Sequence, residues 1–159
     1  TMAIFMGKRM PKDLTVPENV VFRLQEKGWM DEALMLDWVK TVLRPFTNRS
    51  PSLVILDSYR AHLTPAVKKE MRRANADIAI IPGGCTSVLQ PLDVSINKPY
   101  KSWLRSEWVQ YVTSEARHVQ LSTEEKTEKI HTASKEEVLK WIARADTLRY
   151  FHKQTYHIL

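Results

Sequence analysis

One cysteine in 159 residues, Cys85, leaves no partner for an internal disulfide. That usage fits a reducing compartment. Glycine is scarce, with four residues, and no Gly-rich P-loop is present to cradle a nucleotide. No run approaches the ~20 apolar residues of a membrane span. Repeats, low-complexity tracts and a secretory signal are absent from these residues. Position 1 is Thr, so the sequence reads as a piece of something longer, although Met2 could be a start. Acids are outnumbered, 18 Asp and Glu against 24 Lys and Arg, for a net charge of +6. Such a balance favours a polyanionic partner, nucleic acid first among them.

What is present is a core. Apolar residues make up 43% of the chain, including five Trp and five Tyr. This suits one globular domain. TMAIFM reads as a short strand, and Val20–Leu24 as a second strand ended by Gly28. From Trp29 to Pro45, apolar residues recur three and four apart. This predicts an amphipathic helix closed by the proline. LVILD, residues 53–57, is an unbroken apolar run that suits a strand covered on both faces. Thr64 and Pro65 read as N-cap and first residue of a helix. Ile78–Ile81 reads as the next buried strand. Strand, helix, strand predicts a right-handed parallel crossover. A long helix follows, to about Ala116, with Tyr100, Trp103, Leu104, Trp108 and Tyr111 on one side. Ser134-Lys135-Glu136-Glu137 is a capping box opening a last helix.

Two acids end apolar segments: Asp57 after LVIL, and Asp93 in QPLD. An α/β fold can bring both to the carboxyl edge of a sheet, where such folds place their sites. Two carboxylates there suit Mg²⁺ or Mn²⁺, hard cations that take carboxylate and phosphate oxygens. The bland alternatives stay open: Asp57 capping a turn, and Asp93 as a helix N-terminal acid. His62 is placed to contact a phosphate or tune Asp57, and a structural role is as good a reading. Cys85 has no base placed to make it a nucleophile. Lys68, Lys69, Arg72 and Arg73 read as a solvated helix face. Lys98, Lys101 and Arg105, spaced three and four apart, read as a stripe that phosphates would follow.

ILDSYRAHLTPAVKK, IAIIPGGCTSVLQPLDVSINKPYKSWLR and SKEEVLKWI resemble the catalytic domain of pogo/Tigger-type transposases of the Tc1/mariner DDE superfamily. The likeness is greatest to domesticated pogo-derived vertebrate proteins. It implies an α/β, ribonuclease-H-like mixed sheet flanked by helices, here incomplete at its N-terminus. It implies a partial endonuclease domain over residues 1–145 and a divergent tail over 146–159, where DTLRYFHKQTYHIL departs from the family's helix. Asp57 and Asp93 then correspond to the second and third catalytic acids, and to ligands of Mg²⁺ or Mn²⁺. The family cuts and joins DNA strands by two-metal, in-line attack. Its first acid lies on a strand upstream of TMAIF. Asp13, Asp31 and Asp37 do not sit in apolar strands and make poor substitutes. The resulting expectation is a nuclear, membrane-free domain that binds DNA through Lys98, Lys101 and Arg105 and does not cut it unaided. An active nuclease, given an upstream segment, and a protein-interaction module are the competing readings.

Overall fold

The computed structural model describes residues 1–84, 97–121 and 132–153. β1 (Met2–Met6) pairs in parallel with β2 (Val21–Gln25), Ala3 opposite Phe22. β3 (Ser52–Asp57) pairs in parallel with β4 (Ala76–Ile81), Asp57 opposite Ile81. Between the second pair runs α3 (Pro65–Arg73). Its N-cap is Thr64, whose hydroxyl accepts from the Val67 N–H, and Pro65 opens the helix. The predicted crossover is therefore present.

The expected single mixed sheet is not. Among the described residues there are two separate two-stranded sheets, both parallel. Parallel neighbours need a long connection, and here each pair has one: the proline-broken loop 7–20 and the segment carrying α3. Neither pair is closed by a hairpin, so no antiparallel ladder arises.

The expectation that LVILD is covered on both faces is also corrected. Facing residues alternate, as strand geometry requires. Val54, Leu56 and Ile78 pack on a core of Met35, Val39, Leu43, Val67, Met71, Ala74 and Ala76. On the other face Leu53 is 63% exposed, and Ile55 is exposed beside it. In β4, read from sequence as buried, Ile81 is buried and Ile78 packs on the core, while Ile80, opposite Leu56, is exposed.

The predicted helix from Trp29 to Pro45 begins later and ends later. Asp31 is its N-cap, its carboxylate accepting from the Leu34 N–H at 2.9 Å, which leaves Trp29 outside and exposed. α1 (Glu32–Trp38) continues through a π-helical turn, Val39–Leu43, into α2 (Arg44–Thr47). The widened turn shifts the hydrogen-bond ladder just before Pro45, which has no N–H to give, so the chain continues past the proline.

The second core lies under β1 and β2. Ala3, Val20 and Phe22 pack with Leu139 of α5 (Lys135–Lys153). The capping box is formed reciprocally. Glu137 accepts from the Ser134 N–H at 2.9 Å, and the Ser134 hydroxyl accepts from the Glu137 N–H at 3.2 Å. The N-terminal ammonium lies 3.4 Å from Asp146 of α5. α4 (Asn97–Leu121) packs on α5 and extends beyond the predicted Ala116. A bidentate pair, Arg23 of β2 with Asp37 of α1 at 2.7 and 3.2 Å, links the two sheet layers.

Val39, Val67, Met71 and Leu139 are the largest fully buried side chains. Burial of each contributes about 1.5–3 kcal/mol, more than the ~0–1 kcal/mol of an exposed ion pair. Met71→Ala is therefore expected to cost about 2–5 kcal/mol. Leu53→Ala, on the open face, should cost roughly 1 kcal/mol or less. Urea unfolding of the two variants side by side makes the comparison; similar losses would place Leu53 in a covered core.

Candidate functional site

β3 ends on Asp57, at the same edge as the end of β4. Beyond it the chain turns through a short 3₁₀ segment, Arg60–His62. Asp57 Oδ1 accepts from the Tyr59 N–H at 3.1 Å, which closes the turn over the strand end. The same oxygen lies 2.8 Å from His62 Nδ1. That short contact is not aligned as a hydrogen bond, because Nδ1 is buried without a hydrogen-bonding partner. It is a close approach of the imidazole to the carboxylate. The Tyr59 ring meets the His62 ring edge-on, centroids 5.4 Å apart. Asp57 is thus both a turn cap and the acid at the sheet edge. Gly83 comes close to the same turn, since a Cβ there would meet Ser58 Oγ at 3.5 Å.

Asp93, the proposed partner of Asp57, lies outside the described residues, as does Cys85. The aspartates upstream of Asp57 are accounted for. Asp31 caps α1, Asp37 is paired with Arg23, and Asp13 sits in the loop between β1 and β2. Neither β1 nor β2 carries an acid. Among the described residues no group of three or more His, Cys, Asp or Glu side chains converges on a point. Asp57 and His62 alone supply too few oxygen donors for a hard cation. The described donors therefore do not amount to a metal centre.

Lys98, Lys101 and Arg105 are all exposed on α4, and none has an ion-pair partner among the described residues. Of the other cluster, Arg73 is drawn to Glu70 at 3.3 Å. Glu70 is buried, and it also holds Arg44 of α2 at 2.7 Å. That part of the cluster has a structural task.

Trp108, read from sequence on one side of the helix with Tyr100, Trp103, Leu104 and Tyr111, is 44% exposed. It stacks on Tyr111, which meets the buried Trp141 of α5 edge-on. Burial, then the carboxylates of Glu137 and Glu115, hold the Tyr111 phenol above its ordinary pKa. The signal was available: Trp108 follows Lys101 and Arg105 at seven and three residues, on their side of the helix.

The model of the DDE superfamily endonucleases matches residues 2–151. The chain belongs to this family. Its relatives are of the pogo type. Pogo transposable element with KRAB domain is 41% identical over 95 residues in both Mus musculus and Homo sapiens, covering 58% of this chain and 16% of each relative. Pogo transposable element with ZNF domain of Homo sapiens is 29% identical over 107 residues, covering 66% of this chain and 8% of that protein. The chain thus spans a small part of the length of these relatives. No solved structure gives a significant match. Among the described residues, no helix is long and apolar enough to cross a membrane.

The turn itself can be tested. Asp57→Ala removes the acceptor for the Tyr59 N–H, a bond worth about 0.5–1.5 kcal/mol. Tyr59 amide exchange should accelerate by up to about tenfold in Asp57→Ala and little in Asp57→Asn, which keeps an oxygen acceptor. Hydrogen exchange followed by NMR reads both variants; equal acceleration would show that the charge, not the acceptor, holds the turn.

Proposed function

We propose that these 159 residues form a pogo-derived, ribonuclease-H-like domain that binds DNA and does not cut it unaided. One observation carries the reading: three exposed cations, Lys98, Lys101 and Arg105, line up on α4 without ion-pair partners among the described residues. A phosphate backbone is the ligand that such a stripe suits. The net charge of +6 adds long-range attraction of the same sign. Membership of the DDE superfamily endonucleases supports DNA as the polyanion, and relatives named for a pogo transposable element with a KRAB or ZNF domain support the nucleus as the compartment in this reading.

The donors support the absence of cutting in this reading. In-line attack on a phosphodiester uses metal ions clamped by several carboxylates. Here Asp57 stands at the sheet edge with one oxygen tied to its own turn. The aspartates that precede it are committed elsewhere or held in a loop. Asp57 and Asp93 are, in this reading, the remnant of an acidic triad.

Anisotropy titration of a short duplex at several salt concentrations tests the binding. Three phosphate contacts give a log–log salt slope of about −3 at most, each contributing about −0.9. Replacing Lys98, Lys101 and Arg105 together by Ala should flatten it. Replacing Lys68, Lys69, Arg72 and Arg73 should change it less, and an unchanged slope in the triple variant would falsify the stripe. Supercoiled plasmid incubated with the chain and Mg²⁺ or Mn²⁺ should stay intact. Nicking that disappears in Asp57→Ala would restore the catalytic reading.

A further inference from the structure

The outer side of α4 carries more than charge. Lys101, Arg105, Trp108 and Val112 follow one another at four, three and four residues, so they form one stripe along the helix. At a rise of 1.5 Å per residue, Trp108 stands about 10 Å along the axis from Lys101 and about 4.5 Å from Arg105. Val109, 53% exposed, widens the apolar surface beside the indole.

Trp108 is also held in place. Its ring centroid lies 6.3 Å from that of Tyr111, with the planes 28° apart. Tyr111 in turn lies 5.8 Å from Trp141 of α5, edge-on, and Trp141 is buried. Three aromatic rings therefore run from the interior to the surface and end on an exposed indole. An anchored ring loses little freedom when something stacks on it.

Charge on the two sides of this indole is unequal. Toward the N-terminus of α4 stand Lys98, Lys101 and Arg105, exposed. Glu107, the acid nearest to them on the helix, is mostly buried and joined to Arg144 of α5 at 2.8 Å. Toward the C-terminus, Glu115 and Glu137 lie close enough to act on Tyr111. A polyanion is drawn to the first side and repelled from the second. Phosphates next to an anchored, exposed aromatic ring are the recurring arrangement for unpaired nucleic acid strands. A duplex keeps its bases stacked on each other and offers none to the indole.

We propose that this face of α4 is a platform for single-stranded DNA, with an unpaired base stacked on Trp108 and the adjoining phosphates on Lys101 and Arg105. The inference rests on the DNA-binding reading above and specifies which form of DNA the stripe prefers.

The test is anisotropy of the whole 159-residue chain with three labelled probes of equal length: an oligothymidylate, the same strand with abasic sites, and a matched duplex. The oligothymidylate should bind more tightly than either of the others. Trp108→Ala should weaken oligothymidylate binding about tenfold, the loss of roughly one base stack. It should leave the duplex and the abasic strand nearly unchanged. Trp108→Phe should keep part of the effect. Circular dichroism checks that each variant remains helical, and the abasic probe needs no variant at all. Abasic and normal strands that bind equally would overturn the inference, as would a Trp108→Ala loss shared equally by duplex and strand. Duplex binding with a steep salt slope in either case leaves the DNA-binding reading standing. No binding to any probe sinks both. Self-association that Trp108→Ala abolishes, without effect on any DNA probe, assigns the face to a second copy and overturns the proposal.

Discussion

Two parallel strands cannot be joined by a tight turn, and the rest of this chain is arranged around that constraint. β3 and β4 run the same way, so the polypeptide must return across the sheet between them. It does so as α3, whose Val67 and Met71 fill the space over Val54, Leu56 and Ile78. α1 and the π turn complete that layer with Met35, Val39 and Leu43. The same pairing puts both strand ends at one edge. Asp57 is where it is because of the direction of β3, and the segment leaving β4 starts at the same edge.

Glu70 shows how the layer is fastened. A carboxylate this buried is costly unless paired. It is paired twice, with Arg44 and Arg73. Arg44 opens α2, so the pair ties the end of the π-bulged helix to the crossover helix. The π turn lets the helix pass Pro45, and the ion pair fixes where it arrives. This combination explains why a proline that ends a helix by local rules does not end this one.

Local signals were legible, and long-range ones were not. Thr64-Pro65 and the Ser134–Glu137 box are statements about a single turn of helix, and both are formed as read. The parallel crossover followed from two apolar runs with a helical pattern between them. What covers a strand is a different kind of fact. LVILD has no polar alternation, yet Leu53 and Ile55 are exposed while Val54 and Leu56 pack on the core. Composition cannot distinguish an apolar face that is covered from one that is not. The split into two sheets has the same origin, since it depends on which strands meet. At the site, Asp57 was found by its position after an apolar run and His62 by its nearness in sequence. Trp108 was read only as one of an aromatic side, since helical spacing does not tell which of its members is exposed.

Among the described residues each strand pairs with one neighbour, so each has a lateral side that no described strand pairs. Unpaired backbone groups along such a side, next to exposed Leu53, Ile55 and Ile80, are a template for adding another strand. Mutual repulsion between copies, each with a net charge of +6, opposes that contact in dilute salt. Added electrolyte shortens the range of the repulsion to about 10 Å at 0.1 M. The same electrolyte releases phosphates from cations. Ionic strength therefore acts on this chain in two opposite senses, loosening its hold on a polyanion while removing what keeps its own copies apart.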